Sequence, residues 1–370
     1  MNIPFFRYPH CFTEYKEEID ETLQSVLEKG AYILQKELED FERAAADFVG
    51  AKHAIGVANG TDSLIMACKL MGLKPSDEVI MASHTYIATA AGIHFGGGKP
   101  VLVDCMDDRM IDPTAVEAAI TPNTVGIMPT QLNGRTCDMD ALQSIADKHG
   151  LFIIEDSAQA LGAKYKGRCA GTFGAMGSIS LYPAKLLGCF GDGGLLFTDD
   201  DDLAEKLFQF RDHGRNTEGV VSSWGINSRL DNMQAAVCSV KLRHYPAALE
   251  RRREIARQYQ KGLESIPEML LPVGPDDDAD RYDCFQNYEV EGEYRDDLRA
   301  HLKENGVGTI IQWAGKAVHQ FEALNLGSFD LPRTEKFFER CFLLPMNTSV
   351  TDEEIGYICD LIQTFYNERR

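Results

Sequence analysis

Leu151-Phe152-Ile153-Ile154-Glu155-Asp156-Ser157-Ala158-Gln159 is a short apolar run closed by two acids. Downstream follows Ser178-Ile179-Ser180-Leu181-Tyr182-Pro183-Ala184-Lys185-Leu186-Leu187-Gly188-Cys189-Phe190-Gly191-Asp192-Gly193-Gly194. The first stretch reads as a strand buried on both faces, because a parallel strand between two helix layers shows a continuous apolar run rather than alternation. The same unit recurs upstream. His53–Ala58, Glu78–Ala82, Pro100–Asp104 and Thr124–Pro129 are runs of strand length, separated by helical patterns at Asp62–Met71, Ile87–Phe95, Pro113–Ile120 and Met139–His149. This alternation with short connections predicts an α/β fold: a mainly parallel central sheet flanked by helices.

Around this unit, Ile19–Glu28 and Glu37–Phe48 read as amphipathic helices, and Gly177–Tyr182 and Gly194–Thr198 as two strands close together. Helices resume at Asp201–Arg211 and Asn232–Leu249. A charged helix from Glu250 and an acidic loop at Gly274–Asp278 lead to mixed elements, strand Asn287–Val290 and helices Arg295–Asn305 and Asp352–Asn367. These predict a large domain over 13–249 and a smaller C-terminal α+β domain over 250–370. Gly188–Gly194 is not a dinucleotide fingerprint, since it follows no first strand and no acidic ribose partner stands out.

With 370 residues and 44% hydrophobic content, the chain can bury one large core and a smaller second one. A formal net charge of -20 argues against nucleic-acid binding, which needs many phosphate-neutralising cations. The ten cysteines form no CxxC pair, so they read as reduced and mostly buried, with no metal site, in a cytoplasmic protein. Met1-Asn2-Ile3-Pro4-Phe5-Phe6-Arg7 has no signal-peptide pattern, and no apolar run suits a membrane span.

Lys185 on a short turn, with Asp156 at a strand end, is the pair that pyridoxal phosphate chemistry requires. The lysine holds the cofactor as a Schiff base and the aspartate keeps the pyridinium nitrogen protonated. To attack an aldehyde the lysine must be neutral, so burial and nearby charge should lower its pKa. Asn59-Gly60-Thr61-Asp62-Ser63 follows a strand and opens a helix, where free amides can bind phosphate; alone it reads more readily as a helix capped by Thr61 or Asp62, and the order of the later motifs reverses that preference. Tyr86, in Ser83-His84-Thr85-Tyr86, offers a flat ring for stacking or a core tyrosine. His84 in the same run reads as structural. Gln159 can reach a ring hydroxyl and Ser180 a phosphate. Asn227 and Arg229, in Trp224-Gly225-Ile226-Asn227-Ser228-Arg229, read as anion ligands or as a capped helix start. Arg251, Arg252 and Arg253 read as a solvated helix face rather than a phosphate cluster.

In order and spacing, Gly60-Thr61-Asp62, Glu155-Asp156-Ser157-Ala158-Gln159, Tyr182-Pro183-Ala184-Lys185 and Asn227-Ser228-Arg229-Leu230 resemble the DegT/StrS-type nucleotide-sugar aminotransferases. The similarity runs from Gly30-Ala31-Tyr32-Ile33-Leu34 to Leu343-Leu344-Pro345-Met346. The resemblance implies fold type I of the pyridoxal-phosphate enzymes and a homodimer with shared active sites. It implies Lys185 as the catalytic lysine, Asp156 at the pyridine nitrogen, Gln159 at the ring hydroxyl and Tyr86 stacked on the ring. Gly60, Thr61, Asp62 and Ser180 would hold the phosphate, joined by Asn227 from the partner subunit. Tyr32, Arg229, Gln312 and Trp313 are expected near the substrate. The implied reaction transfers an amino group, with L-glutamate as donor and pyridoxamine phosphate as the intermediate cofactor form. The acceptor is a keto group of a dTDP-, UDP- or GDP-linked deoxy sugar, at position 3 of a dTDP-3-keto-6-deoxyhexose, with position 4 as the alternative. A lysine rather than the histidine of the dehydratase branch argues against that dehydratase, though not against every elimination, so another pyridoxal-phosphate-dependent elimination on a nucleotide sugar stays as an alternative reaction; the acidic chain argues against a non-enzymatic sensor. Gln131-Leu132-Asn133-Gly134 stands where the family often has His-Leu-Tyr-Gly, Gln312-Trp313 where it often has His-Tyr, and Gln35 where it often has glycine. These departures fall where the substrate is expected.

Overall fold

In the computed structural model, which describes all 370 residues, the apolar runs become one seven-stranded sheet. β1 (His53–Val57), β2 (Glu78–Ala82), β3 (Lys99–Val103), β4 (Thr124–Ile127) and β5 (Phe152–Asp156) come first. β6 (Lys164–Tyr165) and β7 (Arg168–Cys169) form a side ribbon, and β8 (Met176–Ser180) and β9 (Gly194–Thr198) complete the sheet. Its order is β1-β9-β8-β5-β4-β2-β3. From β8 to β3 every pairing is parallel; β9 alone runs antiparallel, to both β1 and β8. The cause lies in residues 181–193, which form no helix. Without a helical crossover a following strand returns antiparallel. Every residue of β2 and β9 is buried, as expected of strands covered on both faces. The fold is α/β with a mainly parallel central sheet.

Two predicted helices prove to be one. Asn232–Leu263 is a continuous helix of 32 residues with Pro246 inside it. Its first half buries Ala235, Cys238, Leu242, Tyr245 and Leu249 in a core shared with Phe41 and Phe197. Its second half buries Ile255, Ala256, Tyr259 and Leu263 in another core, with Tyr288, Phe342 and Phe365. That second core is built on β10 (Met269–Leu270), β12 (Tyr288–Gly292) and β13 (Cys341–Leu344), an antiparallel sheet in the order β10-β12-β13. β11 (Arg281–Tyr282) instead pairs with β6, tying the two halves together. Ile3 is fully buried in the second core and bridges to Val307.

The arginine run departs from expectation. Arg252 and Arg253 are buried, not solvated. Arg252 Nη1 donates to the carbonyls of Phe285, Gln286 and Met346, and Arg253 to those of Asp283 and Pro275. Their acceptors come from chain segments remote in sequence, so helical charge patterning could not reveal them. Nine of the ten cysteines are buried and all are free thiols. No helix is long and apolar enough to cross a membrane.

Candidate active site

The carboxyl ends of β1, β4, β5 and β8 open onto one cavity of about 410 Å³, the position that ligands take in open parallel sheets. Its lining includes Gly60, Thr61, Tyr86, Asp156, Gln159, Ser180, Lys185 and Trp313. The sequence placed all eight near cofactor or substrate.

The turn after β1 shows why glycine and serine meet there. Helix Gly60–Leu70 starts at Gly60, with Asn59 rather than Thr61 or Asp62 as its cap: Asn59 Oδ1 accepts from the Asp62 N–H at 2.8 Å. The Asp62 and Ser63 amides are thereby satisfied, and Gly60 and Thr61, which precede them in the first turn, line the cavity. A Cβ on Gly60 would lie 3.0 Å from Ser180 Cβ, and one on Gly194 would lie 2.6 Å from the Asn59 carbonyl carbon. Two glycines thus let the β1 turn settle onto β8 and β9.

Asp156 is buried at the end of β5. Burial pushes its carboxyl pKa up, opposed by hydrogen bonds and by the nearby Lys185 charge. Thr89 Oγ1 donates to Asp156 Oδ2 at 2.6 Å. Since that proton is committed, Thr85 must donate to Thr89 (2.7 Å), and Thr130 donates to Thr85 (2.9 Å). This file of threonines fixes the carboxylate, and no sequence pattern assigned it a role; a run of hydroxyls beside a strand-end acid was the only available signal. The neighbouring Glu155 points the other way, accepting from the amides of Gly171 at 2.8 Å and Gly174 at 3.1 Å and from Gln131 Nε2 at 2.7 Å.

Lys185 sits on the loop between β8 and β9. Its N–H donates to the Tyr182 carbonyl at 2.8 Å, and Gln286 from the second half holds the Ala184 carbonyl at 2.9 Å. Burial pushes its ammonium pKa down to about 8, with Asp156 partly holding it up. Gln159 Oε1 accepts from the Asn133 N–H at 2.8 Å, and Tyr86 presents a half-exposed ring at the cavity mouth.

Other sequence-predicted residues stand elsewhere in the single chain. Asp62 does not line the cavity; its carboxylate accepts from Ser228 Oγ at 2.7 Å. Asn227 is exposed outside it, Arg229 pairs with Asp212 at 2.8 Å, and Tyr32 is exposed. Gln312 lies behind Trp313, donating to Glu289 Oε1 at 2.8 Å and to Asn133 Oδ1 at 3.1 Å. Asn133 in turn donates to Glu289 Oε2 at 2.6 Å. Two of the departing motifs therefore meet around one buried glutamate. His84 is fully buried against Trp313, Phe337 and Phe338, where burial and Arg109 lower its pKa to about 3. Trp313, Ala314 and Gly315 have φ of 51°, 60° and 72°, three left-handed residues in succession at the cavity wall.

A buried strand-end carboxylate, a lysine held near neutrality and a helix start closed by small residues define a site for a phosphate-bearing, carbonyl-reactive cofactor. Residues 13–363 match the model of the DegT/DnrJ/EryC1/StrS aminotransferase family, and the chain belongs to that family. A Geobacillus stearothermophilus protein named "Pleiotropic regulatory protein" is 39% identical over 369 residues, covering 99% of both chains. The Streptomyces venezuelae dTDP-3-amino-3,4,6-trideoxy-alpha-D-glucose transaminase is 39% identical over 367 residues, covering 98% of this chain and 95% of its own. The crystal structure of S. venezuelae DesV in complex with a ketimine intermediate superposes with a TM-score of 0.94 at 38% identity, covering 98% of each chain.

Proposed function

We propose that this chain is a pyridoxal-phosphate-dependent aminotransferase acting on a nucleotide-linked deoxy sugar. The observation that carries the reading is Lys185 with a pKa near 8 in a cavity shared with the buried Asp156. The residues fit the cofactor: a buried carboxylate whose burial outweighs its hydrogen bonds and the Lys185 charge suits a protonated ring nitrogen, and the Gly60 turn against Ser180 forms a cradle that a side chain would fill.

Bound pyridoxal phosphate supplies an electron sink for negative charge developing at the adjoining carbon. Asp156, fixed by Thr89, holds the proton on the ring nitrogen. Thr61, Ser180 and the first amides of helix Gly60–Leu70 hold the phosphate. Tyr86 would offer its ring as a stacking face for the cofactor, and Gln159, anchored through the Asn133 N–H, would have its amide nitrogen free for the ring hydroxyl. With the cofactor bound, the freed Lys185 amine would take the proton from the donor's α-carbon and pass it to the cofactor's carbonyl carbon in the same half-reaction, and would move a proton in the reverse direction in the second. The donor we assign is L-glutamate. The acceptor we assign is a dTDP-linked 3-keto-6-deoxyhexose, a reading supported by the name of the S. venezuelae relative. Trp313 and the Gln312–Glu289–Asn133 group behind it shape the sugar side.

Asn227, Arg229 and Tyr32 stand outside the cavity, and Trp224, Val220 and Val221 near them are exposed apolar residues. We assign this face to a homodimer in which a second copy brings its Asn227 to the phosphate and its Arg229 toward the nucleotide. In this division 13–249 carries the cofactor and 250–370 closes the cavity through Trp313. A regulatory reading is suggested by the name of the Geobacillus relative, yet regulation requires no lysine near neutrality.

The test is the visible spectrum of purified protein, followed by product analysis. A yellow protein that bleaches with L-glutamate and then converts a dTDP-3-keto sugar to its amine supports the reading. A protein that stays colourless with added pyridoxal phosphate overturns it. Lys185→Ala should abolish transfer, whereas a purely regulatory protein would keep its signalling.

A further inference from the structure

Six lysine and arginine residues of this chain are buried: Arg109, Arg135, Arg211, Lys241, Arg252 and Arg253. Four have carboxylate partners. Arg211 pairs with Glu42, Arg135 with Asp278 and Asp283 at 2.6 Å, Arg253 with Asp276 at 3.4 Å, and Arg109 with Glu291 at 3.6 Å. Lys241 and Arg252 have none. Lys241 donates only to the Gly188 carbonyl, at 2.5 Å, and Arg252 only through Nη1 to three carbonyls. Lys241 Nζ also lies over the Phe190 ring, 4.5 Å from its centroid, but no carboxylate meets it, and Nε and Nη2 of Arg252 have no hydrogen-bond partner in the protein.

Both unpaired cations line the same cavity, of about 60 Å³. That is several times the roughly 10–15 Å³ a single water needs. Its roof is the Pro183–Gly188 loop that carries Lys185, and its rim is the N-terminal segment with Arg7, His10 and Glu14. At the rim Arg7 pairs with Glu354, and Glu14 lies 3.1 Å from the His10 ring nitrogen. Even with Glu14 counted fully against them, the two buried cations leave positive charge uncompensated. A buried charge without a partner is expensive, and fixed carbonyl dipoles offset it only in part.

We propose that this cavity is a site for one small monoanion, a halide or a carboxylate, held between Lys241 and Arg252 beneath the lysine loop. Because Lys241 also holds the Gly188 carbonyl, the anion fixes the floor on which Lys185 stands.

The experiment uses the cofactor-loaded protein, so that the phosphate cradle is occupied. Sodium HEPES, whose anion is too large to enter, is replaced stepwise by sodium chloride or sodium formate at constant ionic strength, and the thermal midpoint is followed. A saturable rise of about 2–4 °C is expected from selective binding to the folded state. Whichever ion saturates at lower concentration identifies the halide or the carboxylate. Lys241→Met, checked for folding by circular dichroism, should lose the rise. A crystal soaked in bromide gives a second measurement on the unaltered chain: an anomalous peak is expected between Lys241 Nζ and Arg252 Nη2. A midpoint that follows ionic strength alone, a rise that persists in K241M, or a bromide-free cavity overturns the proposal.

Discussion

The lowered pKa of Lys185 has a measurable signature in how fast the apoprotein captures pyridoxal phosphate. A lysine titrating at about 8 is neutral in about one molecule in ten at pH 7, whereas one titrating at the ordinary ~10.4 is neutral in roughly one in 2,500. Covalent capture, followed by the growth of visible absorbance after mixing, should therefore rise tenfold per pH unit below 8 and level off above it. Asp156 is the perturbation that tests the cause. Its carboxylate holds the Lys185 proton on, so Asp156→Asn should shift the midpoint to lower pH and speed capture at pH 7. The same variant removes the carboxylate assigned to the ring nitrogen, so turnover should fall by about 10²-fold or more. Faster capture with slower transfer is an unusual pairing that misfolding would not produce. A capture midpoint near 10, or one that moves upward in D156N, would refute the argument. The stability sign follows as well. The folded pKa lies below the unfolded one, so the unfolded chain binds more protons between about pH 8 and 10.5. This residue's contribution to apoprotein stability therefore grows as pH rises through that window and is flat below it.

Gly194→Ala should cost about 1–3 kcal/mol in urea unfolding and weaken cofactor binding, because its Cβ meets the Asn59 backbone at 2.6 Å. Gln312→Ala leaves buried Glu289 without one of its two amide donors, a loss of about 1–3 kcal/mol. Its KM for the sugar nucleotide should rise while the rate of bleaching by glutamate stays unchanged. Mixed and re-dimerised Lys185→Ala and Asn227→Ala chains should recover roughly a quarter of wild-type activity, since half the dimers carry one intact site of two. No recovery would place Asn227 in its own subunit's site.

The sheet and the residues that line the cavity could be read in advance because their signals are local. β2 and β5 are uninterrupted apolar runs, and Asp156, Ser180 and Lys185 stand at or just beyond strand ends, where short motifs mark them. What escaped depends on contacts between distant segments. Asn133 and Gln312 lie 179 positions apart yet share a hydrogen bond, and Asp62 turns from the cavity because Ser228, 166 positions on, claims its carboxylate. Arg252 and Arg253 look solvated until the carbonyls of residues 275–346 close over them. His84 reads as structural, and the aromatic wall of Phe337 and Phe338 supplies the reason. β10 and β11 are two residues each, too short to carry any periodicity.

The helix Asn232–Leu263 threads both hydrophobic cores, and sixteen of its residues are buried. Neither core can come apart without stripping one end of that helix, and a helix propagates its loss along its length. The two halves therefore share a single thermodynamic fate, and a chain severed near residue 250 would leave two fragments that each display half of an apolar axle with nothing to turn in. Pro246 denies that axle one backbone hydrogen bond near its middle, and the helix runs on through it because both cores hold it on either side.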